Sequence, residues 1–258
     1  MAGDLAVLLR LWEPVALAFF AVFLRVGAAM ALLPGFGEQM VPIRVRLALA
    51  LVFSLAVLPL AAPHLPQAAL GAPLRLFATE TVIGLALGLF FRLFVIALQL
   101  AGAMAAQATS LSQIFGGAAT PDPMPAFGNL LVIAGLALAM AAGLHLRLVL
   151  ALAASYRALP AGRLPDAGAL ADWGAAGVGQ AFALAFSLAA PFVIASLLYN
   201  LALGAINRAM PQLMVAFVGA PLITLAGLVL LALVAPAALA VWLAALNGAL
   251  ADPFGAAR

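Results

Sequence analysis

The stretch WGAAGVGQAFALAFSLAAPFVIASLLYNLALGAIN, residues 173–207, carries no formal charge, and neither does AMPQLMVAFVGAPLITLAGLVLLALVAPAALAVWLAALNGALA, residues 209–251. Arg208 alone separates the two runs, with Pro211 just beyond it. A helix rises ~1.5 Å per residue, so ~20 apolar residues cross the ~30 Å hydrocarbon layer of a bilayer. The last third of the chain therefore holds enough apolar helix for two crossings and more. Its solvent is a membrane, or a hydrophobic assembly made there.

The rest of the chain agrees. Hydrophobic residues make up 68% and charged residues 7%, with a mean hydropathy of +1.26. Soluble domains carry roughly 25% charged residues, so this composition cannot furnish a solvated surface. The net charge of +3 comes from 11 arginines against 8 acids, without a lysine. No basic run or aromatic ladder accompanies it, which excludes a nucleic-acid patch. Cysteine is absent, so disulfides and thiolate metal sites are excluded. His64 and His145 stand far apart with no metal-ligand spacing, and neither a phosphate-binding GxxxxGK[ST] loop nor a GxSxG elbow is present. No catalytic, cofactor or metal residues are therefore expected. Asp4, Arg10 and Glu13 precede the first apolar run and Arg25 interrupts it, so that run is expected to stay in the mature protein.

Six hydrophobic blocks follow, at about 14–33, 47–62, 76–110, 126–156, 173–206 and 212–250. Their connections hold most of the charge and the turn formers, including Pro34-Gly35-Phe36-Gly37-Glu38 and Pro63, Pro66, Gly71 and Pro73. Apolar helix formers between Gly and Pro boundaries predict an all-α, polytopic membrane-type chain. The last block would extend ~58 Å as one helix. With Gly219, Pro221, Gly227 and Pro236 inside it, the block reads either as one long bent helix or as two helices broken at Pro236. Six crossings divide the arginines with Arg10, Arg75, Arg157, Arg163 and Arg258 on one side and Arg44, Arg46 and Arg208 on the other. That bias is a weak orientation signal.

One connection departs from a simple bundle. Residues 107–127, QATSLSQIFGGAATPDPMPAF, place amides and hydroxyls ahead of Gly116-Gly117 and prolines at 121, 123 and 125. Helix is not expected to run through this segment, and its freed backbone groups need water or protein partners. An aqueous surface loop and a re-entrant or pore-lining loop both satisfy that need. Charges inside the apolar blocks are equally pointed, because an ionised group there costs at least ~2.5–3.5 kcal/mol. Glu80, four residues into its block, is expected to snorkel to the block end. Arg25 and Arg92 lie deeper and are expected to face a carboxylate, backbone carbonyls or a wet interior, with Glu80 one possible partner. Gly84 and Gly88 form a GxxxG step that admits another helix closely, and Gly174, Gly177 and Gly179 thin the start of the fifth block.

The stretch NLALGAINRAMPQLMVAFVGAP, residues 200–221, resembles the signature region of the FliR/SctT family of type III export-gate subunits. Three further stretches carry the same resemblance in the family's order: Arg25-Val26-Gly27 with Pro34-Gly35-Phe36-Gly37, then Val41-Pro42-Ile43-Arg44-Val45-Arg46-Leu47, and Glu80 leading to Gly84 and Gly88. The resemblance covers nearly the whole chain, read as a single export-gate domain over residues 1–258, and general similarity favours the flagellar over the injectisome branch. It implies a non-enzymatic subunit of a channel for unfolded flagellar proteins in the bacterial inner membrane, at the centre of the flagellar basal body. FliP-like, FliQ-like and FlhB-like subunits are the implied partners, beside membrane lipid and without nucleic acid. The implied architecture is of long, kinked helical hairpins in a right-handed helical complex, largely lifted out of the membrane plane.

On that resemblance the 107–127 segment would plug the closed pore, although it is richer in Gly and Pro than the family's loop. Gln107, Ser110, Ser112, Gln113, Ile114 and Phe115 would lie at or near the constriction, and the stretch from Gly116 and Gly117 to Pro125 would let it swing aside. Arg25, Glu80, Gly84, Gly88 and Arg92 would serve assembly. Arg208 with Asn200, Asn207, Pro211 and Gln212 would form a polar turn between the last two hairpin arms, capping helices and satisfying carbonyls. The competing readings are a small-solute secondary transporter, which would want an internal repeat and more acids, and a membrane-embedded enzyme, which would want a nucleophile or His/Asp/Glu cluster.

Overall fold

Proline and glycine punctuate this chain, and its helices begin and end around them. The computed structural model describes residues 2–38, 41–65, 73–109, 126–209 and 215–255, with side chains from residue 12 onward and, in the last helix, from residue 222. The described residues form seven α-helices and no strand: α1 (Ala2–Met30), α2 (Ile43–Ala61), α3 (Pro73–Ala108), α4 (Ala126–Ala141), α5 (Leu144–Ala158), α6 (Ala167–Ala209) and α7 (Val215–Ala251). A 3₁₀ turn at Ala62–His64 closes α2, with Pro63 at its start.

Five helical spans are long and apolar enough to cross a membrane: Trp12–Met30, Ile43–His64, Pro73–Ala108, Ala167–Ala209 and Leu222–Ala251. The remaining block is broken. Its two helices, α4 and α5, meet at 77°, and Gly143 is the cause. With φ +83° it sits in the left-handed region, and its N–H donates to the Met140 carbonyl at 3.1 Å to end α4. Its own carbonyl accepts from the Leu146 and Arg147 amides, which starts α5. The last block resolves the other way. α7 runs unbroken through Pro236, so it is one long helix. α6 likewise continues through Pro191.

The chain packs as two compact units. The first contains Met1–Leu93, Met140–Gly177 and Leu246–Arg258. Here α1 lies backbone to backbone on α3. A methyl group added at Gly84 would strike the Arg25 carbonyl oxygen, and one at Gly88 would lie 2.6 Å from that of Ala29. Val22, Val26, Ala29 and Met30 of α1 are fully buried, as are Ile83 of α3 and Leu148 of α5. α2 packs against α1 and α5. Gly177 meets the Phe90 ring, and Trp173 stacks on the same ring at a centroid distance of 4.7 Å. The Trp173 indole N–H donates to the Pro253 carbonyl at 2.8 Å, which ties the turn after α7 to the second turn of α6.

The second unit contains Phe94–Ala139 and Val178–Ala245. In it α3 and α4 touch through bare backbone, since a methyl group at Gly102 would collide with Gly128. Gly135 leaves room for Leu98 and the Trp242 ring. Trp242 is fully buried, and its indole N–H donates to the Phe94 carbonyl at 2.8 Å. Thr109, immediately beyond α3, is buried against Gly227 of α7 and returns its hydroxyl proton to the Ala105 carbonyl.

Candidate functional site

Among the described residues, the largest buried hydrogen-bonded cluster in this apolar chain is built around Arg25. Gly84 brings the α3 backbone against the carbonyl of Arg25 itself, so the side chain starts within the α1–α3 interface and finds its partners there. It is fully buried. Its Nε donates to Glu80 Oε2 at 2.7 Å and its Nη2 to Glu80 Oε1 at 3.1 Å, a bidentate fork onto a carboxylate that is also fully buried. Nη1 donates to Ser155 Oγ at 3.0 Å, and Nη2 donates a second bond to the Leu159 carbonyl at 3.0 Å. The guanidinium lies 3.7 Å from the centroid of the Tyr156 ring. Ser155 passes its own proton to the Leu152 carbonyl, and the Gly162 amide donates to Glu80 Oε1 at 3.4 Å.

Two unit charges in a dry interior are costly unless their remaining hydrogen-bonding capacity is filled. Here every donor direction of the guanidinium except one Nη1 proton has an acceptor or a ring face. The cluster therefore fastens α1, α3, α5 and the turn after α5 at one point. Its neutral sum and near-complete pairing of the two charges suit a structural joint, with the buried Tyr156 hydroxyl the group left without a hydrogen-bond partner among the described residues. A proton relay would need titratable groups facing one another in sequence, and among the described residues no three His, Asp or Glu side chains gather as a metal site.

The expectation that Glu80 snorkels is corrected by this geometry. Helix α3 starts at Pro73, so Glu80 lies two turns inside it and faces α1. Gly84 and Gly88 lie one and two turns further along the same face, beneath α1. Arg92 stands apart, about one-third exposed and 3.9 Å from Glu38, itself equally exposed. Sequence reasoning did not reach Ser155, Tyr156 or the Leu159 carbonyl. A usable signal existed, because a Ser-Tyr pair closing an apolar block is a polar ending that needs an explanation.

Helix reaches further into the 107–127 segment from both sides than expected. Gln107 and Ala108 still belong to the last turn of α3, and Ala126 and Phe127 already belong to α4. Gln107 is exposed there. Ser110, Ser112, Gln113, Ile114, Phe115, Gly116 and Gly117 lie outside the described residues, as do Pro211 and Gln212. Asn200 does not join a turn between hairpin arms. It sits two turns inside α6, where its amide donates to the Ser196 carbonyl at 2.9 Å. Asn207 and Arg208 occupy the last turn of α6 and are exposed, with Arg208 placed to complement the negative end of the helix dipole.

A buried charge joint among long apolar helices fits many membrane proteins, and sequence relationship decides among them. The model of one family, described as "Bacterial export proteins, family 1", matches residues 16–249. The chain belongs to that family. Among curated relatives of this export family, "Flagellar biosynthetic protein FliR" of Caulobacter vibrioides is 37% identical over 229 residues, covering 86% of this chain and 89% of the relative. The protein of the same name from Escherichia coli is 32% identical, covering 84% of each chain. That from Bacillus subtilis is 30% identical, covering 80% of this chain and 81% of its own. Within the export family the match runs from α1 nearly to the end of α7, so it takes in the second compact unit whole and most of the first.

Proposed function

We propose that the protein is a subunit of the flagellar type III protein export gate, helping to form and close the channel through which unfolded flagellar proteins pass. The observation that carries this reading is the coincidence of a near full-length family match with helices far longer than a bilayer requires. At ~1.5 Å per residue, α3, α6 and α7 run ~54, ~64 and ~56 Å against a ~30 Å hydrocarbon layer. Relatives carrying the name of a flagellar biosynthetic protein favour this over a small-solute transporter.

In this reading the chain works as one export-gate body with FliP-like, FliQ-like and FlhB-like subunits in the bacterial inner membrane, at the flagellar basal body. It contributes no catalysis, and the driving machinery sits on other chains. The segment between α3 and α4 closes the pore, with Gln107 marking its approach. The fixed joint at Arg25 and Glu80 and the α1–α3 contact at Gly84 and Gly88 hold the frame against which that closure works. The exposed end of α6 at Asn207 and Arg208 is left for neighbouring subunits, and Arg92, loosely paired with Glu38, stays partly exposed to them.

Deleting residues 107–127 tests the closure directly. The expected outcome is a membrane that leaks small ions while the gate complex still assembles. Unchanged ion permeability in a complex of normal composition would remove the segment from the closure.

A further inference from the structure

A groove of about 330 Å³ opens between α1 and α2 in the first unit, walled by Phe23, Leu24 and Ala28 on one side and Ile43, Leu47 and Ala50 on the other. Ile43 and Leu47 leave 80% and 53% of their surface uncovered. One charged side chain lines it: Arg46. Its Nη2 donates to the Glu38 carbonyl at 2.9 Å, but its Nε–H is buried with no hydrogen-bond acceptor among the described residues. Arg44 stands exposed on the same first turn of α2. That turn contains no acid and no side-chain cap, so the positive end of the helix dipole adds to two arginines without a carboxylate partner among the described residues.

Apolar walls with an uncompensated cationic end define an amphiphile with a negative head. We propose that this groove holds an acyl chain of an anionic membrane phospholipid, with the phosphate at Arg46 and Arg44. The volume favours a chain over a protein helix. It sits at the lower end of ligand-sized pockets, which run ~300–1,000 Å³, whereas a helix with side chains is ~10–12 Å across. The charge selects an anionic head over a zwitterionic one, since each arginine near an anionic lipid surface favours it by about fivefold. This inference rests on the chain's membrane residence and stands or falls separately from its role in export.

The test is native mass spectrometry of the full chain, released in mild detergent with whatever subunits accompany it, against phosphatidylglycerol and phosphatidylcholine. Phosphatidylglycerol should be retained preferentially, and R44Q and R46Q should each lower that preference about fivefold. Leu47→Trp, which fills the groove, should displace both lipids. Ile43→Asp, at the exposed mouth, should abolish the preference without touching the core. A phosphatidylglycerol with a photoreactive tail should label residues 43–50. Equal retention of the two lipids, indifference to the arginine and groove variants, or capture of a polypeptide by a photoreactive residue at position 43 would each overturn the proposal.

Discussion

Arg25 shows how much a single side chain organises here. It reaches Ser155 and Leu159 across 130 and 134 residues of sequence, and Glu80 across 55. Removing one member of a buried pair leaves the other charge without compensation, which typically costs ~3–5 kcal/mol. Glu80→Gln and Arg25→Met are therefore each expected to destabilise the protein by that order. Arg25→Met combined with Glu80→Gln should lose clearly less than the sum, because no orphaned charge remains. Thermal unfolding of the four proteins in detergent measures this cycle, and additive losses would mean that the two groups are not coupled. The Arg25–Glu80 partnership was open to inspection of the sequence, since a charge inside an apolar block demands an opposite. Ser155 and Tyr156 were legible only as a polar block end that needs an explanation, because neither hydropathy nor spacing identifies which distant helix end, or which carbonyl such as that of Leu159, supplies the remaining acceptors.

At the scale of elements, glycine decides where helices meet and where they bend. Gly84 accepts no side chain, because its Cα faces the α1 backbone directly. Gly84→Leu should force α1 and α3 apart and, with them, the Arg25–Glu80 pair. The expected signature is a loss of stability at least as large as that of Glu80→Gln, read from the same unfolding curves. Gly143 presents the opposite case. No atom lies within 4 Å of where its Cβ would be, so Gly143→Ala meets only the backbone penalty of a left-handed conformation, about 1–2 kcal/mol. A loss within that range, with composition of the purified complex unchanged, is the expected result. The GxxxG step at Gly84 was legible as a close-packing motif. The 77° bend at Gly143 was not, because a lone glycine inside an apolar run reads equally well as a tolerated helix residue. The continuity of α7 through Pro236 was one of two readings the sequence left open, proline marking a possible break that packing can override.

For the whole molecule, burial is incomplete in a way that composition anticipates. Leu197, Leu198 and Leu201 on α6 and Leu225 and Leu233 on α7 are each at least 60% exposed. Lipid or other subunits must cover them, as contiguous apolar surface of this extent is not stable in water. Purification in mild detergent is thus expected to return the protein in a complex of fixed stoichiometry with FliP-like and FliQ-like subunits. A monodisperse solitary chain that transports a small solute after reconstitution would end the export-gate reading. The all-helical architecture and the six blocks were legible because membrane solvent imposes a coarse rule on every turn. A closing role for residues 110–117, which lie outside the described residues, came from the resemblance alone, since amides, glycines and prolines between two helices state only that helix stops.

The meeting of Gly102 with Gly128 has a bearing on how such a segment could work. Two bare backbones clasped a few residues outside the 110–125 stretch act like the eyelet of a drawstring: both cords pass through it at a constant spacing. Prising its rims apart would expose helix backbone that no side chain is there to shield, so α3 and α4 are expected to keep this spacing.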